Sequence, residues 1–303
     1  MTDNSTARAT AVGRRTANPP ARSVPLAVRV RGALVGLLSH ALMIALGLVF
    51  TGPLLWMVSS SLKEPADIFR FPPSLLPNPL RWENYPDAWN AAPFNLYYWN
   101  SVDIAVLVVL GVLFFSSMAA YAFARLRFIG RDFVFGVLLA TMMIPYTVTL
   151  IPLYKIYRDI GWINTHYPLI VPPAIGNAFS IFLLRQFFLT LPKELEEAAR
   201  IDGASTLQIF WRIMIPLVKP ALAAVGIFQF MGSWNNFLGP LIFLNDQEKM
   251  TLPIGLAMFR SENLVQWNLL MAAAVFTIVP MLVIYFLAQK YFIQGIALTG
   301  IKG

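Results

Sequence analysis

Six apolar stretches, near 33–58, 102–124, 133–154, 168–190, 217–243 and 269–291, limit what this chain can become more than any other feature. Each reaches the roughly 20 residues that a helix needs to cross the hydrocarbon core of a bilayer. Lipid offers backbone N–H and C=O groups no partners, so a segment of this length must satisfy itself as a helix. Gly52-Pro53, Pro145 and Pro280 would break soluble helices, yet such residues are tolerated within spans. Only 13% of the residues are charged, about half the share of a soluble domain. The expected fold class is therefore an all-α integral membrane protein with six transmembrane helices.

Other classes fall away on composition. There is no cysteine, and His40 and His166 are the only histidines, so neither disulfides nor a Cys/His-rich metal centre is expected. The net charge of +8 could suggest nucleic acid, but the placement of the basic residues argues for a membrane. Residues 1–32 are polar and carry six arginines; they are expected to form a disordered basic cytoplasmic tail drawn to anionic lipid. Arg14-Arg15 would suit an export signal only with a short apolar region close behind, and the run from Ala33 is too long for one. With the N-terminus inside, sixteen of the 23 Lys and Arg residues fall on the cytoplasmic side. The positive-inside rule then places both termini, and the segment 191–216, in the cytoplasm.

That segment breaks the apolar pattern. Within LPKELEEAARIDGASTLQIFWRIMIPLVKP (191–220) stand Lys193, Glu194, Glu196, Glu197, Arg200, Asp202, Arg212 and Lys219. Pro192 suits a first helical turn, and the three glutamates fall near a helix N-terminus, where the macrodipole favours them. Glu196 and Arg200 make an i,i+4 pair. Gly203 can take the left-handed conformation that stops a helix, and Ser205 with Gln208 forms a capping-box pattern that restarts one. A helix-turn-helix between spans fits two roles, an interfacial connector or a docking element for a soluble partner.

Elsewhere the polar residues are sparse. The outer segment 59–98 carries prolines at 65, 72, 73, 77 and 79, which argue against a folded domain, and Trp82, Tyr85, Trp89, Tyr97, Tyr98 and Trp99 read as interface anchors. Ser116, Ala120 and Ala124 lie at i, i+4 and i+8, a small-residue stripe for close helix packing. In the fifth stretch Gln229, Ser233 and Asn236 share a helical face, with Trp234 and Asn235 beside them. Polar groups at that depth face protein or a water-filled path rather than lipid, so they are candidates for a polar translocation path as well as for packing. The chain has no GxxxxGK[ST] loop to bind ATP and essentially no carboxylate within its spans to couple an ion. A transporter built this way must take its energy from a partner.

Glu197-Ala198-Ala199, then Gly203, Ile213 and Ile215-Pro216, resemble the Glu-Ala-Ala loop of ABC importer permeases, with Ile215 where that pattern has Leu. Ser61-Leu62-Lys63, Asn84-Tyr85, the segment 116–131 and the end QKYFIQGIALTGIKG (289–303) are similar to the maltose-type carbohydrate branch of that family. The resemblance covers about residues 40–303. It implies a type I importer-like permease domain over 33–303 and a coupling loop at 191–216 in which Glu197, Ala198, Ala199, Gly203, Ile213 and Pro216 engage an ATPase. It further implies a second permease subunit, two ATP-binding subunits that hold the ATP and Mg, an extracytoplasmic solute-binding protein, and a bacterial inner membrane. No catalytic residue, metal or cofactor of its own is expected, nor any nucleic-acid partner. The substrate implied is a carbohydrate, with glycerol-3-phosphate or a glycerophosphodiester as the alternative. An ion-coupled secondary transporter and an intramembrane enzyme are the other classes weighed.

Overall fold

Proline, glycine and capping chemistry set most of the helix boundaries. The computed structural model describes residues 26–260 and 265–300, with side chains described between Gly32 and Gln289. In order, its helices are α1 (Leu26–Ser61), α2 (Pro65–Ile68), α3 (Asn84–Asn90), α4 (Phe94–Arg125), α5 (Arg131–Ala140), α6 (Tyr146–Asp159), α7 (Tyr167–Ala174) and α8 (Ala178–Thr190). There follow α9 (Glu194–Ile201), α10 (Thr206–Ile209), α11 (Ile215–Leu217), α12 (Lys219–Trp234), α13 (Leu238–Phe243), α14 (Leu252–Met258) and α15 (Trp267–Gly300). The chain is helical from Leu26, within the segment 1–32 expected as a tail. Residues 1–25 and the last three residues of the C-terminal signature lie outside the described residues.

Residues up to Leu54 and those from Leu55 onward are separate units. In the first, α1 exposes Leu37, Leu38, Val49 and Phe50, apolar all round as a lipid-facing span is.

Four helical stretches are long and apolar enough to cross a membrane: 34–61, α4, Tyr167–Thr190 and Trp267–Gln289. Two more candidates are bent pairs, and counting each as one span gives the six expected. The stretch expected as one span near 133–154 turns by 99° between Met143 and Tyr146. Pro145 stands at that bend, and Ile144 before it is extended, as the residue preceding a proline tends to be. The second pair, Thr206–Leu217 and Lys219–Trp234, turns by 78°. Beyond it the stretch expected as 217–243 breaks again after Trp234 and resumes at Leu238.

The long helix α4 is the spine of the second unit. Val108, Val112, Ser116 and Ala120 are fully buried, and the three apolar ones share one core with Leu184 and Phe188 of α8 and Ala221 and Val225 of α12. The small-residue stripe thus serves packing. Where α4 crosses the end of α7, a Cβ on Gly111 would lie 2.5 Å from the Ala174 Cβ.

The outer segment is more ordered than its prolines suggest. Asn84 Nδ2 donates to the carbonyls of Ser61 and Lys63, both at 2.9 Å, and its Oδ1 accepts from Asn268 of α15 at 2.9 Å. Lys63, 1% exposed, donates to the Ser74 carbonyl and lies 4.2 Å from the Trp56 ring centre. Burial lowers the affinity of its amine for a proton, with Asp67 opposing. Of the six aromatics expected as anchors, Trp82 and Trp99 are exposed. Tyr97 is instead fully buried, and Tyr85, Trp89 and Tyr98 pack around its cluster.

Candidate functional site

At its turn the helix-turn-helix at 191–216 has the caps its sequence calls for, while the start of α9 has no side-chain cap. Pro192 falls two residues ahead of the first helical residue, Glu194. Gly203, at φ +81°, closes α9 in a Schellman motif: its N–H donates to the Arg200 carbonyl at 3.0 Å and the Ala204 N–H to the Ala199 carbonyl at 2.9 Å. Ser205 and Gln208 form the reciprocal capping box that opens α10. A π-helical turn, Phe210–Met214, then leads into α11, an arrangement found often at functional sites.

The two faces of α9 do different jobs. Glu197 and Ala198 are exposed with Glu194, and Ile201 stands out at 86% exposure, so a soluble partner can reach them. Ala199 and Glu196 are buried. Ile213 packs against the main core beside buried Ile209, Phe210 and Met214, while Pro216 is exposed. The loop residues singled out by sequence therefore divide into an exposed face and a buried anchor.

The expected pair of Glu196 with Arg200 is present, and what sequence reasoning missed is the contact of Glu196 with Arg125. Its carboxylate lies 3.2 Å from Arg125 Nε, with the two side chains 7% and 4% exposed, and 3.6 Å from Arg200. The contact to Arg125 is an ion pair without hydrogen-bond alignment. Arg125 Nη2 donates to the carbonyls of Phe188 and Leu191, at the C-terminal end of α8, where carbonyls lack helical partners. Arg185 repeats the device, donating to the Phe123 carbonyl at 3.3 Å with its guanidinium 4.2 Å from the Phe135 ring centre. Above the pair opens a cleft of about 660 Å³ lined by Arg127, Arg131, Lys193, Glu197 and Arg200. A signal was present in the sequence: Glu196 and Ala199 are three apart and share a helical face.

Within the bundle the polar residues separate. Gln229 Oε1 accepts from Asn177 Nδ2 at 3.1 Å, and Asn177 Oδ1 caps α8 by accepting from Ser180 N–H. This pair sits at the break between α7 and α8, where Gly176 takes φ +109°. Half-buried Asn236 accepts from Gly239 N–H at 3.1 Å, and exposed Asn235 donates to the Met231 carbonyl. Ser233 is half-buried near the end of α12, which stops at Trp234, so the helical face expected for Gln229, Ser233 and Asn236 does not extend to Asn236. Trp234 faces the other way, 1% exposed, stacked on Phe230 and donating to the Thr277 carbonyl. It is a packing residue here, because an indole on that face meets α15.

Residues 111–298 match the family described as "Binding-protein-dependent transport system inner membrane component". The arabinooligosaccharides transport system permease protein AraQ of Halalkalibacterium halodurans is 39% identical, over 83% of this chain and 91% of its own. The sn-glycerol-3-phosphate transport system permease protein UgpE of Yersinia enterocolitica is 33% identical, over 85% and 94%. Among solved structures, a chain of a bacterial ABC transporter involved in the import of the acidic polysaccharide alginate superposes with a TM-score of 0.74 at 27% identity, covering 86% of this chain and 97% of that one.

Proposed function

This chain belongs to the family of binding-protein-dependent transport system inner membrane components, and from that premise we infer how it works. It is a non-catalytic permease subunit of a carbohydrate ABC importer in the cell membrane. In the proposed mechanism two partner subunits bind and hydrolyse ATP, with its Mg, and their closure is felt through α9. The observation that carries the reading is the exposed Glu197-Ala198 face of α9, ended by Gly203 and anchored by Ala199. A second permease completes the path, and a solute-binding protein delivers substrate on the opposite face. Gln229, Ser233, Asn235 and Asn236 are assigned to the path, with Asn177 added by its bond to Gln229. Amides and a hydroxyl suit the hydroxyl groups of a sugar. A glycerol-3-phosphate substrate is the second reading, favoured by the 33% identity to UgpE.

Purifying the chain through an affinity tag tests the whole reading. The complex is expected to contain an ATP-binding subunit and to hydrolyse ATP faster when loaded binding protein is added. Gln229→Leu in that complex should leave assembly intact, because Asn177 still caps α8, and should lower transport. A chain that purifies alone, with no hydrolysis, removes the proposal; failed assembly of the Gln229 variant returns that residue to packing.

Both termini are assigned to the cytoplasm by the basic residues flanking the spans. A compartment-sensitive reporter fused after Gly303 should be active only on that side. Periplasmic activity would invert the topology and detach 191–216 from any cytoplasmic ATPase.

A further inference from the structure

We infer that Arg125 is the positioning residue through which movement of α9 reaches α4 and α8, an inference that rests on the coupling role proposed for α9. Past the three-residue link 191–193 back to α8, two routes lead from α9 into the bundle, one onward along the chain and one through side chains. The covalent one is compliant. It passes a left-handed Gly203 with nothing within 4 Å of its Cβ position, then the π-helical turn at Phe210–Met214, then the 78° bend before Lys219. Each is a point where backbone rotation can absorb a push.

The route through Arg125 has no such give. One guanidinium touches the Glu196 carboxylate of α9 and the carbonyls of Phe188 and Leu191 at the end of α8, while its own backbone ends α4. One turn earlier on α4, the Tyr121 ring packs 5.7 Å from Phe188 and 5.2 Å from Phe210. A force on the exposed face of α9 is therefore delivered by its buried face to two spans at once.

The choice of an ion pair matters. A buried pair adds little stability over a well-packed apolar one, so its presence asks for another reason. Coulomb attraction falls slowly with distance, losing roughly a quarter when a contact near 3 Å lengthens by about 1 Å. The Arg125–Glu196 contact does not depend on hydrogen-bond alignment. It can hold while α9 tilts, where a van der Waals contact would have parted.

The test uses the complete complex, with the second permease, two ATP-binding subunits and the binding protein, reconstituted in liposomes. Glu196→Gln, Arg125→Lys and the two together are compared for substrate transported per ATP hydrolysed. Assembly and binding-protein-stimulated hydrolysis are expected to stay near wild type, since Glu197 and Ala198 are untouched. Transport per ATP is expected to fall about tenfold in each single variant, with the double no worse than the poorer single, as members of one linkage behave. Transport and hydrolysis falling together, in proportion to the complex assembled, would overturn the inference and leave Arg125 a structural residue. Should the single variants fail to assemble, Arg125→Met with Glu196→Leu removes both charges and leaves neither unpaired. Normal transport per ATP in that pair would also overturn it, and a loss would support it. A wild-type complex without stimulated hydrolysis is a different result, and removes the transporter reading itself.

Discussion

Glu197→Lys and Gly203→Val are each expected to leave the chain inserted beside its sister permease while cutting substrate-driven ATP hydrolysis by about tenfold or more. Glu197 is exposed on α9 and takes part in none of the ion pairs among the described residues, unlike its neighbour Glu196. Its removal therefore costs the fold little. If the ATPase desolvates that carboxylate on docking, losing a charge-assisted contact costs about 1.5–3 kcal/mol, roughly a 10- to 150-fold weaker association. Lysine adds repulsion wherever the carboxylate met a basic group. The argument for Gly203 is conformational. Its φ is +81°, and nothing lies within 4 Å of an added Cβ, so a substitution strains the backbone without a clash. A β-branched side chain there costs about 1–2 kcal/mol, which unwinds the Schellman turn and re-aims α10 against α9. Gly203→Asp should be milder, since Asp visits the left-handed region more readily. Co-purification of the ATPase and hydrolysis with loaded binding protein measure both effects. Wild-type hydrolysis in Gly203→Val would mean that the turn does not set how α9 is presented to the ATPase.

Gly111→Leu should prevent the folded permease from forming, and Gly111→Ala should lower its thermal midpoint in detergent by several degrees. The Cβ of any residue at 111 meets the Ala174 Cβ at 2.5 Å, the Ala174 carbonyl oxygen at 2.8 Å and its Cα at 3.0 Å. Two of these are backbone atoms, so no rotamer change relieves the contact, and α4 must part from α7. Overpacking typically costs about 1–3 kcal/mol for an extra methylene or two, and a full leucine exceeds that. In a membrane such close approach is itself a main source of helix association. Gly136 of α5 is the control, since a Cβ there meets nothing within 4 Å. Gly136→Ala should be neutral or stabilising, because Ala outranks Gly in a helix by about 1 kcal/mol. Equal midpoints for Gly111→Leu and Gly136→Ala would show that the spans do not approach so closely. Ala174→Gly should rescue Gly111→Ala only in part, because the carbonyl oxygen stays.

Much of the architecture was legible because lipid makes it so. A bilayer requires about 20 apolar residues per helix, and six such stretches stand out along this chain. Local chemistry was equally readable where partners lie a few residues apart. The left-handed Gly203 and the Ser205–Gln208 capping box both stand where the sequence puts them, since each depends on backbone groups within one turn. Pro145 was legible as a residue that breaks soluble helices, but not as a bend of this size. A missing N–H says where a helix can break, while the 99° turn also depends on what packs against each half.

Tertiary structure alone gave one of three neighbouring glutamates its buried partner. Glu194, Glu196 and Glu197 have the same chemistry, and only the position of α4 brings Arg125 to Glu196 and leaves Glu197 exposed. It likewise separated Trp234 from the polar residues around it, by placing α15 on that side, and paired Gln229 with Asn177 fifty-two residues away. Hydropathy and capping signals are sums over local neighbours and survive in the sequence. Contacts between helices depend on the angle and rotation at which those helices meet, which many weak packing terms set together.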